Sequence, residues 1–237
     1  MIRLGGRQLA AALLLPLMLQ GCSSYTGLSA TESQPANFPD SFYLQADTNQ
    51  VYSIDSQLSQ IIVTVRRGGL MARLGHDHIV ASNNVRGLIY LDSENLLCRA
   101  QLYVPLAILE VDNLQLREAA AMTTKPSAAD IEGTTSNMLK SIEAEKFPFA
   151  QLQSQDCSGA LNNQSVPVTL TIHGVTQSRE LEISLHQSDD SQLDISGEFS
   201  MLQSDFGIQP FSIMNGLIKV QDRLHLSFQL RAQLTQD

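Results

Sequence analysis

His76-Asp77-His78 is the cluster in this sequence best equipped for chemistry. In an extended segment side chains repeat every two residues, so His76 and His78 share a face and could supply part of a zinc or copper site. A metal wants a third or fourth ligand, and His173, His186 or His225 serves only if the fold brings it close. Otherwise the two imidazoles open a polar strand and hydrogen-bond to neighbouring loops or to a ligand's polar end. A metal-dependent or redox protein built on His76 and His78 is therefore one reading. Hydrolytic and nucleotide chemistry find less, because there is no Gly-x-Ser-x-Gly elbow, no His-Glu-x-x-His helix and no phosphate-cradling glycine loop. Ser204-Asp205 belongs to a Ser-Asp-Phe-Gly turn, and Gly68-Gly69 to a loop.

The remaining reactive residues are three cysteines. Arg3 and Arg7 precede an apolar run at residues 9–19, broken by Pro16 and too short for the roughly 20 residues that span a bilayer. A cleaved export signal over residues 1–21 follows. Leu19-Gln20-Gly21-Cys22 resembles the lipobox of bacterial lipoproteins, which implies a diacylglycerol on Cys22. Acyl chains at about 0.8 kcal/mol per buried CH₂ would hold the protein to a membrane. Ser23 after the cysteine implies, by the same resemblance, an outer-membrane protein facing the periplasm. Residues 22–50, rich in Ser, Thr, Ala, Gln, Asn and Pro, read as a flexible tether. In that oxidising compartment Cys98 and Cys157 are candidates for a disulfide, the alternative being two buried free thiols.

Losing the signal removes Arg3 and Arg7 and moves the formal charge from -9 to -11. An acidic chain of this kind is no partner for nucleic acid, nor for anionic head groups by overall charge.

The elements that must position these residues are strands. In residues 166–173 Val168, Leu170 and Ile172 alternate with Thr169, Thr171 and His173. Leu181 and Ile183 alternate with Glu182 and Ser184, and Leu224, Leu226 and Phe228 with His225 and Ser227. Period two with one apolar face predicts half-buried antiparallel strands. His173-Gly174 and Asn215-Gly216 are hairpin signals, and SDDS at 188–191 is a further turn. More strands fit residues 59–66, 84–92, 98–105, 149–156 and 195–203. Between 113 and 145 the alternation lapses into helix formers, with Ser127 placed as a cap. The expectation is an all-β fold, an antiparallel lipocalin-like barrel of about eight strands with a short helical insertion, over residues 51–237. If the strands flanking the insertion are antiparallel neighbours, Cys98 lies opposite Cys157.

Five segments in order resemble the YceI-like family: Tyr52-Ser53-Ile54-Asp55, Arg86-Gly87-Leu88-Ile89-Tyr90-Leu91-Asp92, Lys146-Phe147-Pro148-Phe149-Ala150, Leu170-Thr171-Ile172-His173-Gly174-Val175-Thr176 and Gln203-Ser204-Asp205-Phe206-Gly207-Ile208. Arg73-Leu74-Gly75-His76-Asp77-His78 replaces the family's phenylalanine-rich stretch. The resemblance implies a binding protein rather than an enzyme, with an isoprenoid or quinone in the lumen, no required cofactor and a homodimer as one available state. Val168, Leu170, Ile172, Leu181, Ile183, Leu224, Leu226 and Phe228 are the expected lining. The same residues would serve a filled barrel presented to a protein partner, so a hollow lumen is what separates the two readings.

Overall fold

The computed structural model describes residues 34–162, 164–189 and 191–235. The export signal, Cys22 and the first part of the expected tether lie outside the described residues. Among the described residues no helix is long and apolar enough to cross a membrane.

Twelve strands form one sheet: β1 (Val51–Ile54), β2 (Gln60–Gly68), β3 (His78–Ser82), β4 (Arg86–Asp92), β5 (Leu97–Pro105), β6 (Glu110–Val111), β7 (Phe149–Ser154), β8 (Ser165–Ile172), β9 (Val175–Asp189), β10 (Gln192–Leu202), β11 (Ser212–Ile213) and β12 (Ile218–Leu234). The order β1-β4-β5-β7-β8-β9-β10-β12 closes on itself, because β12 pairs with β1 through Tyr52↔Leu234 and Ile54↔Ala232. An eight-stranded antiparallel barrel results, and closure leaves no long unpaired edge in that ring.

Three staves of the barrel are made in two pieces. β12 pairs first with β2 and then with β1, and Ser56–Leu58 turns through a 3-10 helix where the two meet. β3 pairs with β2 as β4 pairs with β1, and β6 pairs with β3 as β5 pairs with β4. The sheet therefore bends at one level across three neighbouring strands. Beyond that bend β6 parts from β7, and α3 (Ala128–Ser141) takes up the gap: it packs on β6 and bonds Gln209 O through Ser141 Oγ. Ser127 starts α3 with a capping box, its side chain accepting from Asp130 N while Asp130 returns to Ser127 N. Asn113 caps the shorter α2 (Leu114–Ala119) by accepting from Gln115 N and Leu116 N.

Local chemistry explains the hairpins. His173 and Gly174 both adopt positive φ between β8 and β9, as a two-residue turn with the strands' own twist requires. A Cβ on Gly174 would also meet the Phe147 ring at 2.5 Å, which ties this turn to the Lys146-Phe147-Pro148 segment. Asn215 and Gly216 turn with positive φ between β11 and β12.

The stretch before β1 departs from the expected tether. Within residues 34–50, α1 (Ser41–Gln45) lies on the outer face of β4 and β5: Tyr43 is buried, Phe38 packs edge-on against Tyr103, and Asp40 N donates to Gln101 Oε1. The apolar Phe38, Phe42 and Tyr43 override the polar composition around them.

Cys98 and Cys157 form a disulfide with Cα atoms 4.8 Å apart, and Cys157 N donates to Cys98 O beside it. It ties the start of β5 to the chain leaving β7. The closed segment has a sequence separation of 59, for which chain entropy gives about 4 kcal/mol. Denaturant unfolding of the Cys98→Ser, Cys157→Ser double variant should show a loss of that order. A loss below about 1 kcal/mol would contradict the tie's importance.

Candidate functional site: an apolar lumen with a polar mouth

The barrel encloses a cavity of about 350 Å³. Inward positions follow the period-two pattern. Val168, Leu170 and Ile172 of β8, Ile183 of β9, and Leu224, Leu226 and Phe228 of β12 all line it. Leu181 does not. It is buried, but opposite Val166, at the level where the turn Ser158–Asn162 packs against β8 and β9 and takes up the facing surface. Its alternation with Glu182 marks the inward face without revealing that a turn covers this part of it.

The bent staves contribute the rest of the wall, including Ile61 and Val63 of β2 and Ala100 and Leu102 of β5. These follow the same alternation, within the strand segments expected at residues 59–66 and 98–105. Gly197 makes room for a neighbour: a Cβ there would stand 2.6 Å from Phe228 Cζ. At one end Tyr52, Leu91, Leu193 and Ala232 pack into the core outside the cavity and close it. The other end is bordered by α3, Phe211 and Val220.

Among the described residues no Lys, Arg, Asp or Glu lines the cavity. The polar side chains near the α3 end are Thr134, Asn137, Ser141, His78 and Gln203, the last donating through Nε2 to Gln221 O. His78 is held by a buried network. Its Nδ1 lies 2.7 Å from Asp112 Oδ2, while Ile79 N and Arg117 Nη1 donate to Asp112 Oδ1. Arg117, only 2 % exposed, also donates to Asp77 O and to Thr124 O and Oγ1. Burial alone would raise the Asp112 carboxyl, but the hydrogen bonds from His78 and Ile79 N, with the charge and donors of His78 and Arg117, hold it below the ordinary value. An ionised Asp112 accepts from His78 Nδ1, and this bond fixes the orientation of the His78 ring.

His76 joins the group, its ring 4.5 Å from that of His78 and its Nε2 4.0 Å from Asp112 Oδ2. Burial, and then the charge of His78, push His76 below its ordinary value, so it is neutral at pH 7. Asp77 points the other way and bonds Arg66 Nη1 and Arg67 N, as period two demands. His76, His78 and Asp112 thus gather with one ligand atom each within 4.8 Å of one another, a spacing a divalent ion could bridge. The third member is Asp112, not another histidine. His173 is bonded to Phe206 O and His225 to Ser200. Both Asp112 oxygens are already engaged, and the Arg117 guanidinium against them opposes a second cation. The arrangement serves better to orient His78 than to hold a metal.

A family model described as the YceI-like domain matches residues 52–232. Among curated proteins none matches. Solved structures that share the fold include the following two. A polyisoprenoid-binding domain from Saccharophagus degradans, implicated in plant cell wall breakdown, is 12% identical with a TM-score of 0.55, over 78% of this chain and 98% of that one. BcnA of Burkholderia cenocepacia is 16% identical with a TM-score of 0.52, over 76% of this chain and 99% of that one. At these identities the likeness is one of architecture.

Proposed function

This chain belongs to the YceI-like family, and we propose that it is a cell-envelope carrier that takes one long-chain isoprenoid, tail inward, into its barrel lumen. The observation that carries this reading is the cavity, apolar along its length and closed at the end away from α3. Ten tail carbons buried there contribute roughly 8 kcal/mol gross at about 0.8 each, before the costs of association. The Saccharophagus degradans domain, named for polyisoprenoid binding, supports the ligand class.

The lining favours an uncharged head group. A phosphate drawn into a wall without Lys or Arg would lose its hydration uncompensated. A quinone carbonyl or an alcohol finds hydrogen-bonding side chains in Thr134, Asn137, Ser141 and His78. The function is binding, without bond making. The Ser200–His225 pair has no carboxylate partner among the described residues and sits on the outer, solvent side of β10 and β12. We place the carrier in the envelope through lipidation of Cys22, at the outer membrane facing the periplasm.

Protein purified from its own membrane fraction should release about one equivalent of polyprenyl lipid on solvent extraction, identified by mass spectrometry. Repeated recovery of folded protein with no lipid would overturn the proposal.

A further inference from the structure

Two loops extend past the cavity's α3 end, one joining β2 to β3 and the other leading through β11 into β12. They are stitched together: Met71 N donates to Leu217 O, and Gly69 approaches so closely that a Cβ would stand 2.4 Å from the same oxygen. Their tips carry Leu70 (92 % exposed), Leu74, Ile213 and Met214, none of them covered by the fold. Phe211 is both exposed and part of the cavity wall, so this apolar surface is continuous with the mouth.

The charge around it runs against the rest of the molecule. Arg66, Arg67, Arg73 and Lys219 are exposed beside the tip. Asp77, already bonded to Arg66 and Arg67, is the acid within residues 66–77, and residues 208–220 contain none. Asp130 of α3 lies close enough to act on His76, and Asp222 follows in β12 bonded to Ser204, but the two loops themselves set four cations against Asp77, so in a chain of net charge -9 the tip is locally basic. Apolar side chains at a tip with cations set behind them match an anionic lipid leaflet, in which the first enter the acyl boundary and the second meet the head groups.

We infer that this double-loop tip docks on an anionic membrane and sets the lumen mouth against it. The contact stands on the exposed residues and their charge alone. Its use, lateral passage of a lipid between leaflet and lumen, rests on the carrier reading.

The chain contains no tryptophan, so one introduced at Leu70 reports without background. Leu70→Trp in the full chain is mixed with vesicles of brominated phosphatidylcholine containing phosphatidylglycerol, and Leu97→Trp, exposed at the opposite end, is the control. Emission at position 70 should shift to the blue and be quenched several-fold, while position 97 stays as in buffer even when the chain is membrane-anchored. Adding Arg73→Gln and Lys219→Gln should lower the inserted-to-free ratio about 30-fold, from about 1 kcal/mol per basic residue. Identical spectra at 70 and 97, or insertion indifferent to phosphatidylglycerol, would overturn the inference. A concentration-dependent blue shift without vesicles would also do so, by assigning the tip to a second copy of the chain. No added ligand is needed, so failure here is separable from failure of the lumen reading.

Discussion

Ala100→Trp should weaken isoprenoid binding by about two to three orders of magnitude while leaving the barrel folded. Ala100 faces the cavity from β5, level with Ile89 on one neighbour and Ser154 on the other. An indole placed there takes the space of about four or five ligand carbons, forfeiting roughly 3–4 kcal/mol, or about 100- to 1000-fold in affinity. In a solid core the same change would overpack and destabilise by about 1–3 kcal/mol. Here the side chain enters open volume, so the midpoint of thermal unfolding should move little. Calorimetric titration with a solubilised prenyl quinone, together with a melting curve, checks both halves. Undiminished binding would mean that the ligand lies elsewhere, and collapse of the fold would mean that no room exists at this level.

The second large effect concerns stability. Asp112→Ala leaves the buried guanidinium of Arg117 without its counter-charge and releases His78. Breaking a buried pair in this way costs about 3–5 kcal/mol. Adding Arg117→Met to Asp112→Ala removes the stranded charge and should restore part of the loss, a coupling that a double-mutant cycle reads directly. The pH dependence has a definite sign. The Asp112 carboxyl is depressed below its ordinary 3.8 in the folded protein, so its contribution is complete above that value and fades as pH falls through the lower, folded value. The stability gap between wild type and Asp112→Ala should therefore be constant near neutrality and shrink only in strong acid. A gap that closed between pH 5 and 7 would point to the histidines instead.

These two sites differ in how far the sequence reveals them. Val168, Leu170 and Ile172 announce their facing because alternation is a local property, and His173-Gly174 fixes the register of β8 on β9 through turn geometry alone. Ser127 and Asp130 likewise reveal the start of α3. Asp112 is another matter. Next to Asn113 it reads as one more polar residue before a helix, and only the pairing of β6 with β3 brings it to His78, 34 positions away. The two-piece staves were hidden for the same reason. β3 and β6 are too short to show a period, and their existence depends on β2 and β12 already being in place. The covering of Leu181 and the docking of residues 34–50 on the outer wall are also long-range outcomes, decided by shape rather than by pattern.

The basic tip carries a related lesson about composition. An acidic total argues against electrostatic attraction to anionic lipid, and for most of the surface that argument stands. It fails locally because Arg73 and Lys219, remote in sequence, are brought to one end of the barrel by the pairing of β2 with β12. Net charge describes solubility better than it describes a particular face.

The measurement that bears most directly on the lumen is affinity as a function of tail length, for one head group carried on one, two, three and more isoprene units. Each unit adds five carbons and about 4 kcal/mol gross at about 0.8 per carbon. The dissociation constant should therefore tighten by at least about tenfold per unit until the closed end at Leu91 and Leu193 is reached, and then level off. Affinity that ignored tail length, with the head group alone binding as well as the longest chain, would contradict the account.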